Sequence, residues 1–249
     1  MRPKLIVVSL AVMSLFAVPG ITWAASVAIE TLLTNASFEL GSDVTCPTNW
    51  TCAGSPGAAA YTPIANQYPA GVDGIPATAH VPDGARAAYA PNSTPGGSGS
   101  LKQITSSTWE SGNTYSFTFW VGVPLTEPDG STGVVTGPLG DVFISLLANG
   151  NADNFCGGSA CRFDIPAAEL PTIGHWRQFT YNPVIDNSVF GETIGVLLQA
   201  DTNSTNQAVN WDIAATTATT PVPEPATMFL GGLGLIAFGY AARRRLFGR

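Results

Sequence analysis

The sequence predicts an all-β fold, a sandwich of packed sheets, on three observations. Between Thr114 and Val123 the side chains alternate. Tyr115, Phe117, Phe119, Val121 and Val123 fall on one face, and Thr114, Ser116, Thr118, Trp120 and Gly122 on the other. A period of two belongs to a half-buried strand. Short apolar runs of this kind recur along the chain, separated by stretches rich in Gly, Pro, Asn and Ser, with no internal repeat. The helical period is missing from the same region, where only residues 167–170 have the composition of a single helical turn.

Taken in order, the chain opens with Arg2 and Lys4, an uncharged apolar run over 5–18, a break at Pro19-Gly20, and the small residues of Thr22-Trp23-Ala24. That is the three-part layout of a secretory signal peptide, residues 1–24. Its apolar stretch is short for a membrane span, which sets it apart from a retained anchor. The body, 25–214, is expected to begin with a strand over 31–40. Residues 45–82 and 91–100 hold most of the Pro and Gly and read as loops. After Thr114–Val123 comes a turn, Glu127-Pro128-Asp129-Gly130, and then 141–148, apolar on both faces as a centrally placed strand would be. Residues 176–181, 193–200 and 209–213 supply three more strands.

Residues 215–221, Ala-Thr-Thr-Ala-Thr-Thr-Pro, form a low-complexity linker that cannot bury a core. The last segment, 222–247, has three parts: Pro223-Glu224-Pro225, an uncharged apolar stretch over 226–242, and Arg243-Arg244-Arg245. As a helix at 1.5 Å per residue the apolar stretch is roughly 26 Å long, near the lower limit for crossing hydrocarbon. A single C-terminal transmembrane helix is the expectation. Its arginines stay cytoplasmic by the positive-inside rule, and the body lies on the far side. The signal peptide requires the same orientation.

The body carries four basic residues (Arg86, Lys102, Arg162, Arg177) against sixteen acidic ones. Such a surface repels phosphate backbones, which excludes nucleic acid as a partner. Cys46, Cys52, Cys156 and Cys161 form an even set in an exported protein. Each neighbouring pair closes a short loop of turn formers, which favours two local disulfides, with cross-pairing as the alternative. Zinc is disfavoured, because the spacings are not paired two-residue gaps and both histidines lie far off, at 80 and 175.

The C-terminal segment resembles the PEP-CTERM sorting domain: a Pro-Glu-Pro entry, a Gly- and Leu-rich apolar helix, and an Arg cluster, over about 221–247. The resemblance implies a Gram-negative bacterium that makes exopolysaccharide. It implies an inner-membrane-anchored precursor, cleavage by an exosortase at or near Pro223-Glu224-Pro225, and a mature form at the cell surface or in the extracellular matrix. The body is similar, more loosely, to the galactose-binding-type jelly rolls of carbohydrate-binding modules. The matching residues are Leu33-Thr34-Asn35-Ala36-Ser37-Phe38-Glu39, Gly112 to Phe119, His175-Trp176-Arg177-Gln178-Phe179 and Trp211-Asp212-Ile213. It departs from them in the Pro/Gly-rich segment from 45 to 100 and in both cysteine pairs.

That second resemblance implies a jelly-roll β-sandwich and a structural calcium joining its first and last strands. The positions that match are Glu39 and Asp212, with the backbone near Asn35. Carboxylate and carbonyl oxygens suit calcium. Alternatively, the two acids cap strand ends. A glycan site needs flat aromatic rings on an exposed face. Trp120, on the polar face of its strand, and Trp50, inside the first cysteine loop, are the candidates, unless the 45–100 segment covers Trp120. Trp176 and Trp211 match core positions of the same pattern. Gly-x-Ser-x-Gly, His-Glu-x-x-His and phosphate-cradling loops are absent from the sequence. The expectation is a non-enzymatic surface or matrix protein that contacts exopolysaccharide. A secreted polysaccharide hydrolase and a purely structural surface protein are the alternatives.

Overall fold

The computed structural model describes residues 25–54, 58–69, 80–92, 98–126, 142–201 and 207–214. The signal peptide (1–24), the linker (215–221) and the segment 222–247 with its Pro-Glu-Pro motif, apolar stretch and arginines lie outside them, as does the turn at 127–130. No helix among the described residues is long and apolar enough to cross a membrane.

The alternating segment is a strand with the bounds read from its pattern. Eleven strands are present among the described residues: β1 (Ser26–Ala28), β2 (Thr51–Ala53), β3 (Ala59–Tyr61), β4 (Ala87–Asn92), β5 (Ser98–Thr108), β6 (Thr114–Val123), β7 (Val142–Ala148), β8 (Arg162–Ile165), β9 (His175–Tyr181), β10 (Thr193–Asp201) and β11 (Gln207–Asp212). They form two sheets. One runs β6-β11-β4-β3, with β1 and β9 also paired to β6; the other runs β2-β5-β10-β7-β8. Four antiparallel pairs nest along the chain, β4 with β11, β5 with β10, β6 with β9 and β7 with β8. A long hairpin rolled so that its pairs fall alternately into two sheets is a jelly roll.

The core lies between the sheets. It takes Tyr115, Phe117, Phe119 and Val121 from β6, Val142, Ile144 and Leu146 from β7, Val196 and Leu198 from β10, and Trp211 from β11, with Trp109 beneath them. All seven residues of β7 are buried, the central position that its two apolar faces predicted.

The expected strand at 31–40 is not one. Ile29–Leu32 is a 3-10 turn, and Asn35 and Phe38 have φ of 56° and 61°, in the left-handed region. Its apolar residues still reach the core: Ile29, Leu33, Ala36 and Phe38 are all buried. A coil that drops side chains inward at irregular spacing can imitate a strand's composition without its pairing. Phe38 is a bulky residue at positive φ, a conformation that costs on the order of 1–3 kcal/mol and persists only where its surroundings hold it. Here full burial of the ring against Trp50, 5.1 Å between centroids, holds it.

Both disulfides are local. Cys46 pairs with Cys52 and Cys156 with Cys161, at Cα separations of 5.7 and 4.9 Å.

Candidate functional site

In β6 the outward positions are Thr118, Trp120 and Gly122, and the register sets what flanks them. Trp120 stands opposite Gln178 of β9 on one side and Asp212 of β11 on the other. Thr118 stands opposite Thr180, and their hydroxyls lie 3.3 Å apart. Gly122 stands between Trp176 and Asn210. The outer face of the first sheet therefore carries a strip of Thr118, Thr180, Gln178 and Trp120 at one end and an aromatic cluster at the other.

The cluster is a second small core. Tyr61, Tyr68, Val81, Ala87, Tyr89 and Trp176 pack there, and Trp120 leans on its border, half-buried. Trp176 and Tyr68 stack at 4.8 Å above Gly122, where a Cβ would meet the Trp176 ring and the Tyr68 hydroxyl at 2.7 Å. At its centre the Asn210 amide nitrogen donates to the hydroxyl oxygens of Tyr61 and Tyr68, 2.5 Å to each. Burial pushes both phenols above their ordinary range and keeps them neutral. Residues 58–69 and 80–86 thus cover much of this face, and Trp120 is its partly exposed edge. Gln178 and Thr180 beside it are exposed.

Trp50 is elsewhere and does not offer a ring face. It is 7 % exposed, packs on Phe38, and donates its indole N–H to the Asn35 carbonyl at 3.1 Å. The first cysteine loop turns this tryptophan inward. Its side chain belongs to the core.

The acids named from sequence meet a third. Asp212, fully buried, accepts the Asp83 amide proton on Oδ2 at 2.6 Å, while its Oδ1 is buried without a partner. Glu39 Oε1 accepts the amide protons of Ala85 and Arg86, 2.9 Å each. Gly84, at φ 68°, lies so close under that carboxylate that a Cβ would collide with it. Two carboxylates, one after the strained Phe38 and one on the last strand, therefore hold the loop 83–86 by its N–H groups. Desolvation holds the Asp212 carboxyl well above the usual carboxylate range, with the nearby Asp83 and Glu39 adding to it. In the sequence Asp83 is signalled only by the dipeptide Asp83-Gly84, a common turn sequence.

The adjacent cation does not neutralise this group. The Arg86 guanidinium donates to the Gly41 carbonyl at 2.6 Å and lies 3.1 Å from Asp43 without hydrogen-bond alignment to it. Asn35 is not available as a side-chain ligand. Its amide donates to the carbonyls of Leu40 and Thr48 and accepts the Leu40 N–H, which clamps the loop. Its carbonyl receives Phe38 N–H and Trp50 Nε1. For the calcium that the resemblance implies, Glu39 and Asp212 are the matching positions, with Asp83 beside Asp212, while the Asn35 side chain and carbonyl are already engaged. The unpartnered Asp212 oxygen fits a hard cation. Among the described residues no group of three or more acid, His or Cys side chains could hold a metal ion, so the acids by themselves do not make a calcium site.

Residues 221–245 match the PEP-CTERM protein-sorting motif. No curated protein sequence is a significant match to the chain. Among solved structures, a cyclase from Fischerella sp. TAU is similar at 16% identity and a TM-score of 0.55, over 72% of this chain and 92% of that one. The Stig cyclase Fisc from Fischerella sp. TAU, in complex with (3Z)-3-(1-methyl-2-pyrrolidinylidene)-3H-indole, gives 16% identity and a TM-score of 0.53, over 72% of this chain and 92% of that one. A family 61 carbohydrate-binding module in complex with β-1,4-galactotriose gives 11% identity and 0.45, over 73% of this chain and 94% of that one. At 16% identity the likeness to the cyclases is one of fold.

Proposed function

We propose that this is an exported, non-enzymatic surface or matrix protein whose body binds exopolysaccharide along the outer face of its first sheet. The observation that carries the reading is Trp120. It is an aromatic ring at the uncovered border of a sheet face, next to Gln178, Thr118 and Thr180. Sugar rings present apolar C–H faces and a rim of hydroxyls, and an indole beside amide and hydroxyl groups complements both. The acidic body suits a neutral glycan better than an anionic one. Export and sorting rest on the motif at 221–245. An exosortase acts at or near Pro223-Glu224-Pro225 while the apolar stretch 226–242 holds the precursor at the inner membrane of a Gram-negative cell and raises the local concentration of the motif.

A structural calcium at Glu39 and Asp212, as the jelly-roll resemblance implies, would add positive charge to this body and tie the last strand to the coil before the loop 83–86. These side chains serve stability and take no part in chemistry.

Affinity electrophoresis of residues 25–222 through gels containing the producer's own exopolysaccharide tests the binding. Retardation that Trp120→Ala abolishes supports it, and free migration on every glycan tried removes it. Turnover of the same polysaccharide by the purified body would favour a hydrolase.

A further inference from the structure

The first strand begins where the predicted signal peptide ends. β1 runs parallel to β6, with Ser26 opposite Thr114 and Ala28 opposite Ser116. Ala25, just before it, is held at both ends. Its carbonyl accepts the Thr114 N–H at 2.9 Å, and its own N–H donates to Asn113 Oδ1 at 3.3 Å. The Asn113 amide cannot turn round without loss, because its Nδ2 donates to Glu110 Oε2 at 3.1 Å. A carboxylate thus orients an amide so that its oxygen faces the backbone nitrogen of residue 25. Glu110 and Asn113 also line an open cleft of ≈ 350 Å³, together with Val27, Tyr115 and Ile194, so water and protons reach them.

We infer that Ala25 is the mature N-terminus and that its free ammonium is received by Asn113 with Glu110 behind it. Resting on the export reading above, this assigns a role to the cut itself. Before cleavage the nitrogen of Ala25 is an amide with a single proton. Hydrolysis of the Ala24–Ala25 bond leaves an ammonium with three, and its hydrogen bond to an oriented amide oxygen becomes charge-assisted, roughly twice as strong as the neutral one. The processed chain therefore closes β1 onto β6 more firmly than the precursor does. Of the neighbouring charged groups, Glu110 stands behind Asn113 on the turn before β6, and Glu30, on the 3-10 turn after β1, is taken up by the Thr118 N–H of β6.

The test has two arms. N-terminal sequencing of the exported protein reads the cut, and a first residue other than Ala25 overturns the assignment whatever the glycan results. The second arm compares three bodies with the same C-terminus: one starting at Ala25, the same chain Nα-acetylated, and one extended by two residues. A pair at an exposed site is worth at most about 1 kcal/mol, so the Ala25 form should melt about 1–4 °C above the other two at pH 7. A free α-amine titrates near pH 8. An acceptor raises that value, and the stability it adds is complete below pH 7 and lost as the ammonium deprotonates. The advantage should therefore vanish by about pH 10. In Asn113→Ala all three forms should melt together. Equal melting of the three wild-type forms at pH 7, with the protein correctly cut at Ala25, overturns the ammonium clasp and leaves export and glycan binding untouched.

Discussion

Asp212 gives one carboxylate oxygen to the Asp83 N–H at 2.6 Å and leaves the other buried and unpaired. A carboxylate in that position prefers to be protonated, and its affinity for protons is raised by burial first and by Asp83 and Glu39 next. The sign follows. A group whose folded pKa lies above its unfolded value adds stability at low pH, and that stability is lost as pH rises through the folded pKa. In chelator, melting temperature should therefore rise as pH falls from 7 toward 5. A calcium bound there would supply the missing positive charge and should raise stability at pH 7, by about 2.7 kcal/mol at a hundredfold excess over its dissociation constant. It should also flatten the pH trend. Asp212→Asn should gain stability at pH 7 in chelator and lose the response to calcium. Differential scanning calorimetry with and without the ion reads both, and a melting curve blind to calcium at pH 7 counts against the site.

Glu30 is a second buried acid with the same sign. It is 4% exposed and accepts the Thr118 N–H at 3.2 Å, and desolvation raises its pKa more than that bond lowers it. Glu30→Gln keeps an acceptor for Thr118 and removes the charge. The variant should be at least as stable as wild type at pH 7 and should lose part of the acid-side gain that remains when calcium is saturating. A steeper pH dependence in the variant would contradict this.

Gly122 is where the aromatic cover meets the sheet. A Cβ there would lie 2.7 Å from two Trp176 ring atoms and from the Tyr68 hydroxyl. The stacked pair cannot retreat, because Trp176 also donates its indole N–H to the His80 carbonyl at 3.1 Å. Gly122→Ala should cost about 1–3 kcal/mol, the range for overpacking. Tryptophan emission should shift to the red as Trp176 is displaced. Unchanged melting and emission would mean that the cover is looser than its packing indicates.

How far the fold was legible depended on where polarity fell. β6 declared itself because its inward residues are all apolar and its outward ones mostly polar. β5, the longest strand, did not, because its pattern is reversed. Gln103 and Thr105 are buried on its inward side, and Ile104 faces out at 47% exposure. Gln103 is tolerated inside because its side chain accepts the Thr34 N–H and donates to the carbonyls of Thr34 and Asn49. The residue that hides β5 therefore also anchors the irregular coil that imitates a strand at 31–40. β4, Ala-Ala-Tyr-Ala in its first four residues, is nearly featureless by composition. The acids Glu39 and Asp212 were legible through resemblance, whereas Asp83, Gln178 and Thr180 join the site only through loop geometry and strand register.

The two disulfides close loops of similar size and should differ in consequence. Each spans five or six residues of sequence, worth about 2 kcal/mol in the chain-entropy account. The Cys46–Cys52 loop also holds Trp50, and with it the Asn35 turn and Glu39 beyond. Replacing both of its cysteines with Ala should lower the melting temperature and weaken calcium binding. The loop at Cys156–Cys161 is pinned a second time, by Asp186, whose carboxylate accepts the N–H groups of Gly157 and Gly158. Its double Ala variant should lose stability with calcium affinity intact. Calorimetry and calcium titration of the two variants separate these outcomes.

Trp50 and Trp120 should part most clearly under substitution. Trp50 is buried, packed at a tilt against Phe38 and hydrogen-bonded through its indole, so Trp50→Ala should cost about 3–5 kcal/mol. Any binding it loses should return in proportion to the folded fraction. Trp120 touches the cluster with part of its ring only, so Trp120→Ala should cost far less stability while removing retardation on the polysaccharide gel. Gln178→Ala should weaken retardation about 5- to 30-fold, the effect of one lost hydrogen bond to a neutral group, about 1 kcal/mol, up to two, with melting unchanged. If Trp120→Ala bound as wild type while remaining folded, the outer face of the first sheet would not be the glycan surface, whatever Trp50→Ala did.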